Sequence, residues 1–255
     1  MCVCILNCIS FSSDSVGDVQ RMSTGVEGLD DLLYGGVPEL NQVVVAGGPG
    51  SGKTLLSMEI LYHAAKRGIP AAFIALEEDP RTVVKNFKSA FPSFSDVDDL
   101  INNGTLVVGG EDAAMRIQST SDSESYSFGN IVSDIETIVG TNNAKLVAID
   151  SVSLIKLMIS DNLTYRKSML ALTSNLRRLG VTGIMTAEMS SSERKDLKFS
   201  QEFFIFDGIL AMYQMGEADK RTLGMEIVKM RGSNHSWSLV PYEITSGGFK
   251  VYSIQ

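Results

Sequence analysis

At 255 residues, with 44% apolar and 20% charged residues and only 6 prolines, the chain has the make-up of an ordinary globular protein and ample length for a buried core. Its net charge of −8 would repel phosphate-rich polymers, so nucleic acid is not an expected partner. No apolar run approaches the length of a membrane span, so no membrane association is expected.

Residues 1–20 read as a flexible N-terminal tail ending in a polar run. The start is apolar but carries no cation before Arg21, so a secretory leader is not expected. Cys2, Cys4 and Cys8 are the chain's three cysteines. An odd terminal cluster forms no disulfide framework and has no histidine beside it to complete a metal site, which suits a reducing cytoplasm.

From residue 21 to 255 the pattern predicts one domain, first alternating strands and helices and then rich in strands. "NQVVVAGG" reads as a buried strand, Lys53 to Arg67 as a helix stopped at Gly68, and "AAFIALEE" as a second strand. "PRTVVKNFKSAF" opens on proline as a helix does, and "TLVVGG" is another strand. The Ser/Asp/Glu-rich stretch 111–129 reads as a mobile surface loop. A helix from Asn130 to about Val139 leads to the strand "KLVAID", and a helix from Thr164 to Leu179 stops at Gly180. "GIMTAE", "GILAMY", "TLGMEIVKMRG", "SWSLVPYEIT" and "GFKVYSI" read as strands, the last ones joined by tight turns. This predicts an α/β fold: a mainly parallel sheet flanked by helices on both faces, extended by antiparallel C-terminal strands.

"GGPGSGKT", Gly47 to Thr54, has the spacing G-x-x-x-x-G-K-[ST] between a strand and a helix, as a phosphate-binding loop requires. Gly47, Gly48, Pro49, Gly50, Ser51 and Gly52 would turn backbone N–H groups toward phosphate oxygens, aided by the positive end of the helix. Lys53 would sit on the terminal phosphates, and the Thr54 hydroxyl would ligate Mg²⁺. Asp150, closing an apolar strand, is the expected acid on the metal, or else a helix cap.

In a parallel sheet, ligands gather at the carboxyl ends of the strands. Glu77 and Glu78 end the strand after the phosphate-loop helix and so belong on the same rim. They would prepare an attacking water as catalytic bases, or simply begin the next helix at Pro80. If strand geometry persists to Glu78, only one of them faces the γ-phosphate squarely. Glu188, ending another strand, would sense the γ-phosphate or be a surface carboxylate. Lys229 and Arg231, two apart on a predicted strand, share one face as a two-pronged clamp or a solvated edge. His235, with no metal partner nearby, reads by itself as a turn residue.

With these segments together, the chain resembles the KaiC-like branch of the RecA superfamily of ATPases, from about Met22 to Ile254. The resemblance rests on "STGVEGLDDLLYGGVP", "GGPGSGKTLLS", "FIALEEDP", "LVAIDSVS", "LRRLGVTGIMTAE" and "VKMRGSNHSWSLVPYEIT". It implies a RecA-like P-loop core with ATP and Mg²⁺, and Glu77 and Glu78 as the pair that activates water. It also implies a homohexameric ring in which Lys229, Met230 and Arg231, closed by His235, reach the neighbouring subunit's nucleotide, and an unidentified protein partner. Autokinase activity is not expected, because Phe203 and Phe204 stand near the positions of the Ser-Thr pair that the family's self-phosphorylating domain modifies, and Ser200 is out of register. The competing readings are a DNA-strand-exchange recombinase on the same fold and a nucleotide-binding regulator with little turnover.

Overall fold

A computed structural model describes residues 19–110, 127–159, 161–189, 201–215 and 222–252. Most of the predicted tail, with its three cysteines, and most of the predicted loop 111–129 lie outside the described residues, as does Ser200. Nine strands form one sheet. They are β3 (Gln42–Gly47), β4 (Ala71–Ala75), β5 (Leu106–Gly109), β6 (Leu146–Asp150), β7 (Thr182–Glu188), β8 (Gly208–Met215), β9 (Thr222–Met230), β10 (Val240–Thr245) and β11 (Gly248–Val251). Their order is β11-β10-β9-β8-β3-β7-β6-β4-β5. The six from β8 to β5 run parallel, and β9, β10 and β11 extend the sheet antiparallel. A separate ribbon pairs β1 (Arg21–Met22) with β2 (Val37–Pro38).

The central strands read as continuous apolar runs because helices cover both sheet faces. Alternate residues divide between two cores: Val43, Val45 and Phe73 enter one, and Val44, Ile74 and Ile149 the other. The first core takes Leu56 and Leu61 of α2 (Lys53–Lys66), Phe87 of α3 (Pro80–Ala90), Leu29 of α1 (Leu29–Leu32) and Leu100 of α4 (Val97–Asn102). The second takes Ile131 and Ile135 of α5 (Phe128–Asn142), Ile155 of α6 (Val152–Met158), and Met169 and Leu176 of α7 (Asn162–Arg178).

Four boundaries differ from the sequence reading. Strand β4 stops at Ala75 rather than continuing through Glu78. Leu76 N–H still bonds Asp150 O across 2.7 Å, but Asp79 caps α3 by accepting from Arg81 N, and Pro80 starts that helix, so the chain must leave the sheet. Helices α5 and α7 begin earlier than Asn130 and Thr164, because Ser127 with Asn130 and Asp161 cap them upstream. Strand β9 ends at Met230, so Arg231 lies in the following turn rather than on the strand. Its N–H is taken by Asp207 O at 2.8 Å, and Gly232 follows with φ 73°.

Candidate nucleotide-binding site

The loop 47–54 leaves β3 and enters α2 through Gly52, whose φ of 91° belongs to the left-handed region. A side chain there would also lie 2.8 Å from Ile244 Cδ1 and 2.9 Å from Phe249 Cζ. The C-terminal strands therefore press directly on the loop, and only glycine fits beneath them. Tyr242 Oη donates to Ser51 O at 2.7 Å, and Gln214 Nε2 to Pro49 O at 3.1 Å. Ser51 Oγ turns inward onto Gly48 O at 2.9 Å. The buried Glu59 of α2 accepts from Phe249 N at 2.9 Å and so ties β11 to the helix that the loop begins.

Lys53 Nζ donates to Gly47 O and Gly48 O at 2.9 and 3.1 Å. Burial lowers its pKa, while Glu188, Asp150 and Glu77 oppose that shift. The register explains the company: Gly47 pairs with Glu188 between β3 and β7, and Ala75 with Asp150 between β4 and β6. All the strand-end acids thus share one rim with the loop. Asp150 is held from two sides: Thr54 Oγ1 donates to Oδ2 at 2.7 Å, and Thr186 Oγ1 donates to Oδ1. The Asp150–Ser151 peptide bond is cis.

Glu77 and Glu78 diverge. Ser151 Oγ donates to Glu77 Oε1. Residue Glu77 is exposed, but its carboxyl is crowded by protein. That desolvation raises its pKa, Asp150 and Glu188 add to the rise, and the Ser151 hydrogen bond and Lys53 oppose it. Glu78 instead turns to α3, where Asn86 Nδ2 stands 3.5 Å from Oε2. It lines a groove of about 220 Å³ between α2 and α3 with Thr54, Leu55, Met58, Val83, Asn86 and Phe87.

Lys229, Met230, Arg231 and His235 lie elsewhere. Lys229 pairs with Ile209 at the start of β8, and Asp207 just before it accepts from Gln42 N at the start of β3. The loop begins at the other end of β3, roughly 16 Å away at about 3.3 Å per residue. Lys229 Nζ donates to Phe206 O at 2.5 Å and Phe204 O at 3.1 Å. Its pKa is lowered by burial and by Arg231, against Asp207. Arg231 Nη1 stands 3.6 Å from Asp207 Oδ1, and Arg177 binds the other oxygen of that carboxylate at 2.6 Å. Met230 points into the core between them, 6% exposed. His235 is 4% exposed, with Nδ1 2.9 Å from Ser236 O and its ring 4.6 Å from that of Trp237. Phe203 is buried, whereas Phe204 stays exposed beside Lys229.

The sequence reading missed Thr186, Ser151 and Tyr242. A serine following Asp150 and capping α6 was a readable sign, since Ser151 Oγ accepts from Ser153 N. Nothing local marked Thr186 or Tyr242.

Comparison with known proteins matches the family model described as "ATPase: KaiC" to residues 22–255. The circadian clock oscillator protein KaiC of Picosynechococcus is 30% identical over 247 residues, covering 96% of this chain and 47% of that protein. The chain thus spans about half the length of the clock proteins it matches. A UPF0273 protein of Methanopyrus kandleri is 34% identical over 239 residues, covering 91% of this chain and 92% of that protein. The crystal structure of a KaiC-like protein from Pyrococcus horikoshii superposes with a TM-score of 0.77 at 30% identity, covering 92% of this chain and 100% of that one.

Proposed function

This chain belongs to the KaiC family of ATPases, and on that premise we propose that it hydrolyses ATP to ADP and phosphate by in-line attack of water on the γ-phosphate. The observation that carries the reading is the convergence of Lys53, the Thr54–Asp150 pair and the Glu77 carboxyl on one sheet rim. Lys53 neutralises charge on the terminal phosphates, and the backbone N–H groups of the loop hold their oxygens. Glu77 takes the proton of the attacking water, and its raised pKa suits a base. Glu78, directed to the groove between α2 and α3, is a wall residue of that groove rather than the base.

Thr54 and Asp150 present hard oxygen donors within 2.7 Å of each other, a set that fits Mg²⁺. The ion bound there would supply positive charge against the phosphate oxygens.

Lys229 and Arg231 gather at the opposite end of β3 and β8, out of reach of their own loop. That separation supports a head-to-tail homo-oligomer, by family analogy a hexameric ring, in which they complete the site of a neighbour. An assembled, nucleotide-dependent regulatory ATPase in the cytoplasm is the corresponding role.

Phosphate release from Mg·ATP tests the reading. The unmodified protein turns over, and Lys53→Ala does not. ATP binding with no measurable release would favour the low-turnover regulator, and ATP-dependent DNA binding at physiological salt would favour the recombinase.

A further inference from the structure

We propose that Ser151 is a positioning residue for hydrolysis: its hydroxyl aims the Glu77 carboxylate at the attacking water. The inference rests on Glu77 being the base. Ser151 is 3% exposed and sits where β6 passes into α6. A serine hydroxyl has one proton to donate and lone pairs to accept with. Here Ser153 N–H, 3.2 Å away, takes an acceptor position as the helix cap, and the single O–H goes to Glu77 Oε1.

The two partners meet because their backbones are already fastened. Leu76 N donates to Asp150 O at 2.7 Å, so the residues after each partner of that bond stand side by side. The other end is fastened too. Ser153 Oγ accepts from Glu188 N at 2.8 Å, which anchors the first turn of α6 to the end of β7. Ser151 is therefore a fixed point, and a carboxylate hydrogen-bonded to it through Oε1 loses most of its rotational freedom. Among the described residues Oε2 of Glu77 has no hydrogen bond and stays free to accept a proton. Among the described residues Glu78 has no comparable anchor, its one partner being the exposed amide of Asn86 at 3.5 Å. Ser151 is thus what makes two adjacent glutamates unequal.

The test must separate aiming from helix capping. Ser151→Ala loses both, Ser151→Thr keeps both, and Ser151→Asp keeps the cap but sets a like charge against Glu77. Expected for Ser151→Ala is a kcat lowered roughly tenfold or more, with KM for ATP within about twofold, as for loss of an interaction used only in the transition state. Ser151→Thr, which keeps both hydroxyl and cap, restores kcat to within about threefold and keeps the melting temperature, whereas Ser151→Asp loses both, because a buried like charge faces Glu77. Made on a Glu77→Gln background, Ser151→Ala has no further effect, because the group it aims is gone. A Ser151→Ala enzyme with kcat within about twofold of the unmodified protein overturns the proposal. So does an equal loss on the Glu77→Gln background, which would mark a purely structural serine. If Glu77→Gln alone leaves turnover intact, the base assignment itself fails, and Ser151 with it.

Discussion

Glu77 and Glu78 are neighbours in the chain but not in their engagements: the first accepts from Ser151 Oγ at the end of β6, the second faces Asn86 on α3. The strand's early stop at Ala75 releases the chain to twist between them. One carboxylate is left over the phosphate loop and the other over the groove.

Substitution should therefore separate them. Glu77→Gln is expected to lower kcat by about 10²- to 10³-fold while ATP binding is retained, the scale of losing a general base. Glu78→Gln should cost less than about tenfold in kcat, since its carboxylate turns to the groove and Asn86 rather than to Ser151. Phosphate release beside a fluorescent-nucleotide titration reads both.

The pH profile follows from the raised pKa of Glu77. A base works deprotonated, so turnover should climb with pH through that value. The acid limb of kcat should then fall above the ordinary carboxylate range, and Glu77→Gln should remove it. An acid limb at an unshifted carboxylate value would show that the carboxyl is not desolvated in the working enzyme.

Asp150→Asn and Thr54→Ala should raise the Mg²⁺ concentration needed for half-maximal nucleotide binding, Asp150→Asn the more because it removes charge. A magnesium titration of nucleotide binding reads this independently of catalysis.

Arg231→Ala should lower turnover about a hundredfold or more, the scale of one lost charge-stabilising donor in the transition state. The discriminating measurement mixes it with Glu77→Gln protein. If sites are shared, randomly mixed assemblies regain on the order of a quarter of the unmodified rate, because some interfaces pair an intact base with an intact clamp. No recovery means that the clamp does not act between subunits.

Phe249→Ala should destabilise the fold by about 3–5 kcal/mol, as for other buried aromatics cut to alanine. Phe249 also presses on Gly52 and stacks on Tyr242 with centroids 5.7 Å apart, so ATP affinity should fall with stability. Chemical denaturation and nucleotide titration read the two effects.

Much of this was legible in the sequence because it is local. The strand–loop–helix at Gly47–Thr54 and the acid after "KLVAI" announce themselves by spacing, and the uninterrupted apolar strands announce a sheet covered on both faces. That only one of Glu77 and Glu78 would face the loop was an expectation of strand alternation, but which one was not legible, since it depends on where pairing with β6 ends and on a serine 74 residues away. Arg231 reads as strand by alternation, but β9 ends at Met230 and the chain turns there through Arg231 and Gly232, whose φ is 73°. Helices α1, α4 and α6 span only four to seven residues, too short to show a period.

The hydrogen bond from Tyr242 to Ser51 joins residues 191 positions apart, and the one from Phe249 to Glu59 spans 190. On a ribosome adding about 5–20 residues per second, the loop is made roughly 10–40 seconds before the strands that brace it. During that interval the nascent chain carries the full phosphate-loop sequence without its buttress. The brace on the loop is therefore completed only when the last strands emerge, at the end of synthesis.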